Sequence, residues 1–360
     1  MIDEISAGIL GAIREPYRLS INATAAPLGN GHINQTVLVR DGERSLVAQR
    51  INTFVFQDPG ALVHNARAIR SHLRRKEKAP KVVRHLPGVN GSYLHGPDRD
   101  IRVLEYIRGS RSIEVLESPD QAFEAAFTFA GFSRALSDFD TGQLITVIPD
   151  FHNPSMRYRL FIEALQDARM TRTEACRSEI EFAKNLEPLI VEWQFLMDGL
   201  PTRVCHNDCK INNILINLGD GKALAIIDLD TSMPGCLMTD FGDLVRTCCN
   251  PEAEDSTALE QVSARPEVFS TLVQGYLKGL EGVIIPEEIE SLVPGALMVC
   301  FIQGIRFLTD FLADDRYYRV DYPLHNLDRA RNQFQLFRSL RAREPELRAM
   351  CESKVRKRLV

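Results

Sequence analysis

The segment 205–230 limits the possible folds of this 360-residue chain more than any other part of the sequence. Its two mostly apolar runs, 214–218 and 223–227, flank an Asp-Gly pair at Asp220-Gly221, and this arrangement predicts a β-hairpin. A two-residue turn at that pair would place Asn213 directly opposite Asp228. Asp208 precedes Asn213 by five residues, on the loop that leads to the same end of the hairpin. The sequence therefore predicts three oxygen-bearing side chains at the open end of one hairpin.

Such a group of side chains suits Mg²⁺, which takes one or two protein ligands and completes its shell with waters and phosphate oxygens. Phosphoryl transfer needs the same set, together with an Asp that orients the acceptor hydroxyl. The pattern His206-x-Asp208-x-x-x-x-Asn213 resembles the catalytic loop of the kinase-like fold. This resemblance implies that Asp208 is the catalytic base, and that Asn213 and Asp228 are metal ligands. The alternative is an ordinary Asp-Gly hairpin with polar ends.

A second motif spells the metal-binding sequence of protein kinases literally, as Asp240-Phe241-Gly242. It lies 32 residues beyond Asp208 and outside the hairpin, whereas Asp228 lies 20 residues beyond Asp208. We therefore expect Asp228 to hold the metal. Asp240 and Asp243 are expected to cap or brace the helix that follows.

The chain changes character near residues 108–117, which predicts two lobes, 1–110 and 111–360. The first lobe is expected to be a small antiparallel sheet with one helix, and the second to be larger and mainly helical, so that the fold is α+β and protein-kinase-like. The predicted strands are 18–28, 32–40, 43–51, 81–86, 91–95 and 101–107, with a tight turn at Asp41-Gly42. The predicted helices are 58–76, 118–139, 154–169, 173–199, 266–281, 286–313 and 325–345.

Fewer of the residues that bind the nucleotide in kinases are present in this sequence. Gly29-Asn30-Gly31 lies between the first two strands, where kinases carry a glycine-containing loop; the alternative is an ordinary tight hairpin. The third strand ends in Gln49 and Arg50 without a Lys, and the turn at Asp41-Gly42 would pair Gln49 with Asn34 and Arg50 with Ile33. Neighbouring residues of a strand point to opposite faces, so either Gln49 or Arg50 could reach phosphate. The helix 58–76 contains no Glu, so the usual Lys–Glu pair is missing.

The segment Glu105-Tyr106-Ile107 stands at the position of a kinase hinge, where backbone groups would bind adenine. The alternative for this segment is a plain edge strand.

Several further motifs are similar to those of the N-acetylhexosamine 1-kinases, within the aminoglycoside phosphotransferase and choline kinase-like family. These motifs are 31–36 (GHINQT), 49–52 (QRIN) with 55–59 (VFQDP), 206–213 (HNDCKINN), 227–235 (IDLDTSMPG) with 240–243 (DFGD), and 304–310 (GIRFLTD). The resemblance implies ATP- and Mg²⁺-dependent phosphorylation of the anomeric hydroxyl of N-acetylglucosamine or N-acetylgalactosamine.

The same resemblance suggests four substrate contacts: His32, Asp230, Arg306 and Tyr317. Each has a structural alternative. His32 could satisfy a strand end, Asp230 could cap a turn, and Arg306 could pair with Asp310 one helical turn on. Tyr317 could pack in the core, with its neighbour Tyr318 taking the role.

Composition excludes other functions. There are 43 basic and 48 acidic residues, a formal net charge of −5, which argues against a nucleic-acid partner bound through bulk charge. No run of 18 apolar residues occurs and residues 1–10 do not resemble a signal peptide, so we expect no membrane partner and a cytoplasmic location. A small-molecule acceptor and a monomer or homodimer are expected. The alternatives are a kinase for an aminoglycoside, choline or homoserine, and a pseudokinase scaffold, which the missing Lys and Glu would favour.

Overall fold

The computed structural model describes residues 3–29 and 33–359. The strands are β1 (Thr24–Pro27), β2 (Gln35–Asp41), β3 (Arg44–Arg50), β4 (Ile101–Glu105), β5 (Ser110–Arg111), β6 (Arg203–Cys205), β7 (Ile214–Asn217), β8 (Ala223–Ile226) and β9 (Met233–Gly235). The helices are α1 (Glu4–Arg14), α2 (Pro59–Leu73), α3 (Pro119–Ala135), α4 (Pro154–Asp167), α5 (Met170–Ala175), α6 (Arg177–Asn185), α7 (Glu187–Asp198), α8 (Leu237–Cys248), α9 (Pro266–Gly279), α10 (Pro286–Glu290), α11 (Leu292–Leu312), α12 (His325–Ala342) and α13 (Glu344–Leu359). This arrangement confirms the predicted α+β, kinase-like class: a small antiparallel sheet precedes a larger helical part. The lobe boundary near 108–117 stays a prediction.

Strands β1 to β4 form an antiparallel sheet in the order β1-β2-β3-β4. The predicted register of the β2–β3 hairpin is wrong by two residues. Gln49 lies opposite Thr36 instead of Asn34, and Arg50 lies opposite Gln35 instead of Ile33. The turn falls one residue later than predicted, since Asp41 still pairs with Arg44 as part of the ladder. The Asp41 carboxylate also accepts from the backbone N–H of Ser20 at 3.0 Å, which ties the end of β2 to the chain that enters β1.

Helix α1 was not predicted from the sequence, and two of the predicted strands do not form. Ile9, Leu10 and Ile13 of α1 are buried against the sheet, and the Asp3 side chain caps the helix by accepting from the backbone N–H of Ser6. Segments 81–86 and 91–95 make only isolated bridges, because Pro87, Gly88 and Gly91 interrupt any longer ladder. The predicted strand 101–107 ends earlier, at Glu105.

Helix α2 begins as predicted, because the Asp58 side chain accepts from the backbone N–H groups of Gly60 and Ala61 with Pro59 in the first turn. The predicted helix 173–199 is three helices, α5 to α7. Pro188 stands in the first turn of α7, where a proline fits but where it also prevents α6 from continuing. The predicted helix 286–313 divides into α10 and α11 at the buried Ser291, and α13 follows α12 although no helix was predicted there.

Helix α11 is the central helix of the second lobe. By length and composition it could cross a membrane, but 78% of its apolar stretch is buried inside the protein, as in the core helix of a globular domain. It packs on α8 at the closest approach in this lobe, where Gly242 of α8 meets Gly295 of α11. A Cβ atom on Gly295 would overlap the carbonyl oxygen of Met238, so this contact requires glycine.

We expect Gly295→Ala to lower the free energy of unfolding by about 2 kcal/mol or more, because the two helices must separate to admit the methyl group. Urea unfolding followed by circular dichroism measures the change. Gly11→Ala in α1 is the matched control, since a Cβ at Gly11 meets nothing within 4 Å. The control should be neutral or stabilised by up to about 1 kcal/mol. Equal unfolding midpoints for the two variants would contradict the close packing of α8 on α11.

Candidate active site

The short hairpin β7–β8 and the pair β6–β9 hold the loop 206–210, which contains the predicted catalytic residue. The predicted hairpin register is wrong by one, because Ile214 pairs with Ile226 and the backbone N–H of Ile227 donates to the Asn213 carbonyl. The turn is longer than the two-residue turn predicted at Asp220-Gly221, because the backbone N–H of Asn217 donates to the Lys222 carbonyl at its base. The pairing of the two strands also shifts between Leu215 and Ile216. Asn213 therefore lies opposite Ile227, and Asp228 is the first residue beyond the ladder.

Asp228 takes the left-handed conformation, with φ 58° and ψ 60°, which Asp tolerates better than most residues. The chain turns there into a short 3₁₀ helix, Leu229–Thr231. Asn213 and Asp228 nevertheless line the same cavity, although the hairpin register differs from the predicted one.

Asp240 anchors the catalytic loop. Its two carboxylate oxygens accept from the consecutive backbone N–H groups of His206 and Asn207, at 3.0 and 2.7 Å. The prediction that Asp240 and Asp243 cap or brace a following helix is wrong, because both lie inside α8. Asp243 instead forms a buried ion pair with Arg246 at 2.7 Å. The Asp of the Asp-Phe-Gly sequence thus holds the backbone of the loop 206–210.

His206 is fully buried and links the two sides of the hairpin end. Its Nε2–H donates to the Ile227 carbonyl at 3.0 Å, and the Thr231 hydroxyl donates to the His206 carbonyl at 2.8 Å. Burial lowers the pKa of His206, so the ring is neutral at pH 7. The ring therefore holds the residue before Asp228 without adding charge to the site.

Asp208 is the carboxylate that the cavity exposes to an acceptor. Its Oδ2 accepts from the Asn213 side-chain amide at 2.8 Å and lies 3.3 Å from the Lys210 ammonium. Burial alone would raise the pKa of Asp208, but the charges of Lys210 and its neighbours outweigh burial and lower it. Asp208 is therefore ionised at neutral pH and can accept a proton.

Asp228 has the opposite electrostatics. Burial, with repulsion from Asp230 and Asp208, raises its pKa to about 7. A buried carboxylate is stabilised in its ionised form by a nearby cation, and Asn213 lines the same cavity as Asp228. Among residues 3–29 and 33–359, no group of three His, Cys, Asp or Glu is placed to hold a metal. Two oxygen ligands fit Mg²⁺, which keeps several waters and is bound through few side chains.

These side chains line one cavity of about 160 Å³. The predicted site residues that line it are Gln49, Asp208, Asn213, Asp228, Asp230, Arg306 and Tyr317. Gly29, Arg50, Glu105, Tyr106 and Ile107 do not line it, and Asn30, Gly31 and His32 lie outside the described residues. Gly29 lies between β1 and β2 as predicted, with φ +73°. The backbone N–H of Glu105 donates to the Arg84 carbonyl, so β4 is an edge strand with a partial neighbour.

The structure separates Gln49 from Arg50. Gln49 faces the cavity, where its amide donates to the Thr36 hydroxyl at 3.0 Å, whereas Arg50 turns away and pairs with Asp100 at 3.5 Å. The Gln49 side-chain oxygen accepts from the Nε–H of Arg102, its neighbour on β4, at 2.9 Å.

Arg102 is only 2% exposed and makes the main contact of Asp230. Its two terminal nitrogens donate to the two Asp230 oxygens at 2.5 and 2.8 Å, and Asn34 donates to the same carboxylate at 2.8 Å. Both oxygens of Asp230, a predicted substrate contact, are therefore engaged by the first lobe. The pair joins β4 to the turn that carries Asp228.

Arg306 and three aromatic rings form the other end of the cavity. The guanidinium of Arg306 lies 4.7 Å from the ring centre of Phe151, 5.8 Å from that of Tyr317 and 5.6 Å from that of Tyr318. Its side chain donates to Gln303 at 2.8 Å and forms no ion pair with Asp310. Asp310 instead accepts from the backbone N–H groups of Tyr317 and Tyr318, at 2.8 and 2.9 Å, and so fixes both rings beside Arg306.

Sequence reasoning missed several residues of the site, which are Asn34, Thr36, Arg102, His152, Lys210, Arg246 and Gln303. Lys210 had a signal, because it follows Asp208 by two residues within the catalytic motif. His152 had none: it precedes α4 and reaches the loop through space, where its Nε2–H donates to the Asn207 carbonyl at 2.9 Å.

The sequence matches the phosphotransferase enzyme family over residues 24–280, a stretch that contains the sheet, the catalytic loop and α8. The chain belongs to this family. Asp208, Asn213 and Asp228 of this phosphotransferase all lie inside the matched region.

Solved structures agree on the fold. The phosphotransferase is similar to an aminoglycoside phosphotransferase from Alicyclobacillus acidocaldarius, with a TM-score of 0.60 and 16% identity over 95% of this chain and 96% of that one. It is similar to a choline kinase from Cryptosporidium parvum, with a TM-score of 0.55 and 15% identity over 96% and 98% of the two chains. A spectinomycin phosphotransferase in complex with ADP and spectinomycin matches with a TM-score of 0.58 and 11% identity, over 95% and 96%.

The buried pair between Arg102 and Asp230 should behave as a unit in the phosphotransferase. Arg102→Met leaves Asp230 charged and unpaired, so we expect it to lower the free energy of unfolding by about 3–5 kcal/mol. The double variant Arg102→Met/Asp230→Leu removes both charges and should be clearly more stable than the single variant. Urea unfolding of the four proteins of this cycle gives the coupling energy. Additive losses would contradict the pairing.

His152 should make the stability of the phosphotransferase sensitive to acid. Burial lowers its pKa to about 3, with the Arg306 and Arg157 guanidiniums acting in the same direction. The unfolded chain binds a proton at this residue near pH 6.5 while the folded chain does not, so stability falls as the pH drops below that value. His152→Gln removes this proton uptake. The variant should lose about 1–2 kcal/mol less than the wild type between pH 7 and pH 5, measured by urea unfolding at each pH. An unchanged pH dependence would show that His152 is not buried as a neutral ring.

Proposed function

We propose that the phosphotransferase uses ATP and Mg²⁺ to phosphorylate the anomeric hydroxyl of an N-acetylhexosamine, either N-acetylglucosamine or N-acetylgalactosamine. The observation that carries the proposal is the acceptor end of the cavity, where Arg306, Gln303 and two tyrosines stand beside the ionised Asp208. Fixed guanidinium, amide and phenol groups match the paired hydroxyl and carbonyl groups on the edges of a neutral sugar. The motif similarity to N-acetylhexosamine 1-kinases supports the same acceptor.

Asp208 acts as the base in this proposal. It accepts the proton of the acceptor hydroxyl as the oxygen attacks the terminal phosphorus of the nucleotide. Asn213 holds the Asp208 carboxylate by its side-chain amide, and Lys210 keeps it ionised. The loop is kept in place by Asp240, so the base meets the acceptor without reorganising.

Asn213 and Asp228 would hold Mg²⁺, which when bound neutralises charge on the nucleotide phosphates. Both groups are oxygen donors at the hairpin end, and Asp228 lacks a direct cationic partner of its own among the described residues. Gln49 and Thr36, joined by a hydrogen bond, form the wall of the cavity on the sheet side. They offer neutral donors where many kinases offer a Lys.

The cationic acceptors fit this cavity less well. A choline site requires aromatic faces free for a quaternary ammonium, but Arg306 already occupies the faces of Phe151, Tyr317 and Tyr318. A polycationic aminoglycoside would favour carboxylates around the acceptor. The cavity does hold carboxylates, but four of the five, Asp208, Asp230, Asp243 and Glu254, are already paired with Lys210, Arg102 and Arg246.

A pseudokinase scaffold is the remaining alternative, and the absence of a Lys at position 49 favours it. Against it, Asp208, Asn213 and Asp228 all line one cavity, and Lys210 helps to keep Asp208 ionised by lowering its pKa. A scaffold has no need of this combination.

We expect ADP release with ATP and Mg²⁺ in the presence of N-acetylglucosamine or N-acetylgalactosamine, and little with an aminoglycoside, choline or homoserine. The methyl glycoside of the active sugar should inhibit but not turn over, because its anomeric oxygen carries no proton. Asp208→Asn should lower kcat by about 10²- to 10⁴-fold while KM for ATP changes little, since the base acts in the chemical step. A coupled ADP assay and ³¹P NMR of the product measure these outcomes.

The matched control is Asp220→Asn, which makes the same change at an exposed position of the hairpin turn. It should retain full activity. Turnover with choline or an aminoglycoside alone would keep the role of Asp208 but reject the sugar. ATP binding without turnover of any acceptor on the panel would support the scaffold.

A further inference from the structure

An arginine-rich groove lies on the first lobe, between α2 and the facing segment 84–93. It has a volume of about 600 Å³ and shares no lining residue with the catalytic cavity. Its arginines are Arg67, Arg70, Arg74, Arg75 and Arg84. The first four lie on or just after α2, and Arg84 comes from the opposite wall, so guanidinium groups approach the groove from two sides.

Among the described residues, one of the five charges in this groove has an ion-pair partner. Within the part of the chain that the structure describes, Arg67, Arg70 and Arg74 form no ion pair, and Arg84 lies 3.6 Å from Glu105. Arg67 to Arg70 is a spacing of three and Arg70 to Arg74 one of four, so these like charges repel each other on one helix face. The whole chain carries a net charge of −5, so the positive charge of this groove is a local feature and does not reflect a generally basic protein.

Two other features point to a ligand. His85 lines the groove and is only 8% exposed, yet its Nδ1 has no hydrogen-bond partner among the described residues. Tyr93 lines the groove as well, and its ring lies 4.1 Å below the Arg67 guanidinium, which holds that group in place. A fixed guanidinium and an unsatisfied buried imidazole favour an anion with several acceptor oxygens.

We propose that this groove binds a small polyanion with two or more adjacent phosphate groups. Arginine forks bind phosphate oxygens in pairs, and a row of arginines facing Arg84 matches neighbouring phosphates better than one isolated anion. The volume suits a small molecule. A pyrophosphate group is the shared chemistry of its two possible sources, an inorganic polyphosphate and a nucleoside diphosphate.

Isothermal titration with inorganic pyrophosphate, without added Mg²⁺, tests the proposal on the full chain. The wild type should show saturable binding that weakens as NaCl is raised, and orthophosphate should bind more weakly. Arg70→Gln/Arg74→Gln should lose at least about tenfold in affinity, since two phosphate-binding forks are removed. Arg159→Gln/Arg343→Gln makes the same change in net charge outside the groove and should bind as the wild type does.

Two further comparisons locate the site. Lys210→Gln, in the catalytic cavity, should leave pyrophosphate binding unchanged, and ADP should compete with pyrophosphate in this variant if the natural ligand is a nucleotide. Circular dichroism and the unfolding midpoint of Arg70→Gln/Arg74→Gln should match the wild type, because both arginines are at the surface. Loss of binding in Lys210→Gln but not in Arg70→Gln/Arg74→Gln would overturn the proposal by placing the anion in the catalytic cavity. Absence of saturable binding in the wild type, or binding of a single-stranded oligonucleotide alone, would overturn it as well.

Discussion

A buried guanidinium–carboxylate pair joins the two parts of this phosphotransferase. Arg102 comes from the edge strand of the first sheet and Asp230 from the turn after the catalytic hairpin, 128 residues later. Because both groups are almost fully buried, separating them would leave an uncompensated charge on each side. The pair therefore fixes how the sheet sits over the hairpin, and with it the distance from Gln49 on one wall to Asp228 on the other. Asn34, just before β2, donates to the same carboxylate, so the anchor has a second contact from the sheet side.

The catalytic loop depends on a second anchor that works through the backbone. Asp240 accepts from two consecutive N–H groups, so it fixes the peptide planes on either side of His206 rather than a side chain. Asn207 takes φ 62° there and donates its amide to the Thr231 carbonyl at 3.0 Å, which joins the loop to the turn after Asp228. The two anchors act on different parts of the site. One sets the position of the turn that carries Asp228, and the other sets that of the loop that carries Asp208.

The parts of the structure that local chemistry determines were predictable from sequence. The cap at Asp58 with Pro59 gave the start of α2, and the Asp-Gly pair between apolar runs gave the β7–β8 hairpin. Hairpin registers were not, because turn length is set by contacts outside the turn: Asp41 remains in the ladder through its bond to Ser20. Helix α1 was not predicted because its apolar face, with Ile9 and Ile13, is short. These side chains are buried only because the helix packs against the sheet.

The candidate site shows the same division. Asp208 and Asn213 belong to one motif and Asp228 follows the second strand of the same hairpin, so their place in one cavity was predictable even with the wrong register. The partners of Asp230 and Arg306 were not, since Arg102 lies far away in sequence and Phe151 reaches Arg306 only through the packing of α4 on α11. The same distance misled the interpretation of Asp240, whose sequence neighbours suggest a helix cap while its carboxylate faces a loop 33 residues earlier.

The acceptor end explains how one catalytic loop can serve different alcohols. The proposed catalytic groups come from the hairpin and its loop, whereas Arg306 and the rings around it come from α11, the segment after it and Phe151 before α4. Asp310 lies on α11 and accepts from the backbone of Tyr317 and Tyr318, so these rings are positioned independently of the catalytic loop. With Arg306 between the rings, the end is cationic and closed to an ammonium group; without that guanidinium, the same three rings would form an open aromatic cage. If the proposed function holds, the choice between a neutral sugar and a quaternary amine depends on this one side chain, which lies outside the proposed reacting groups.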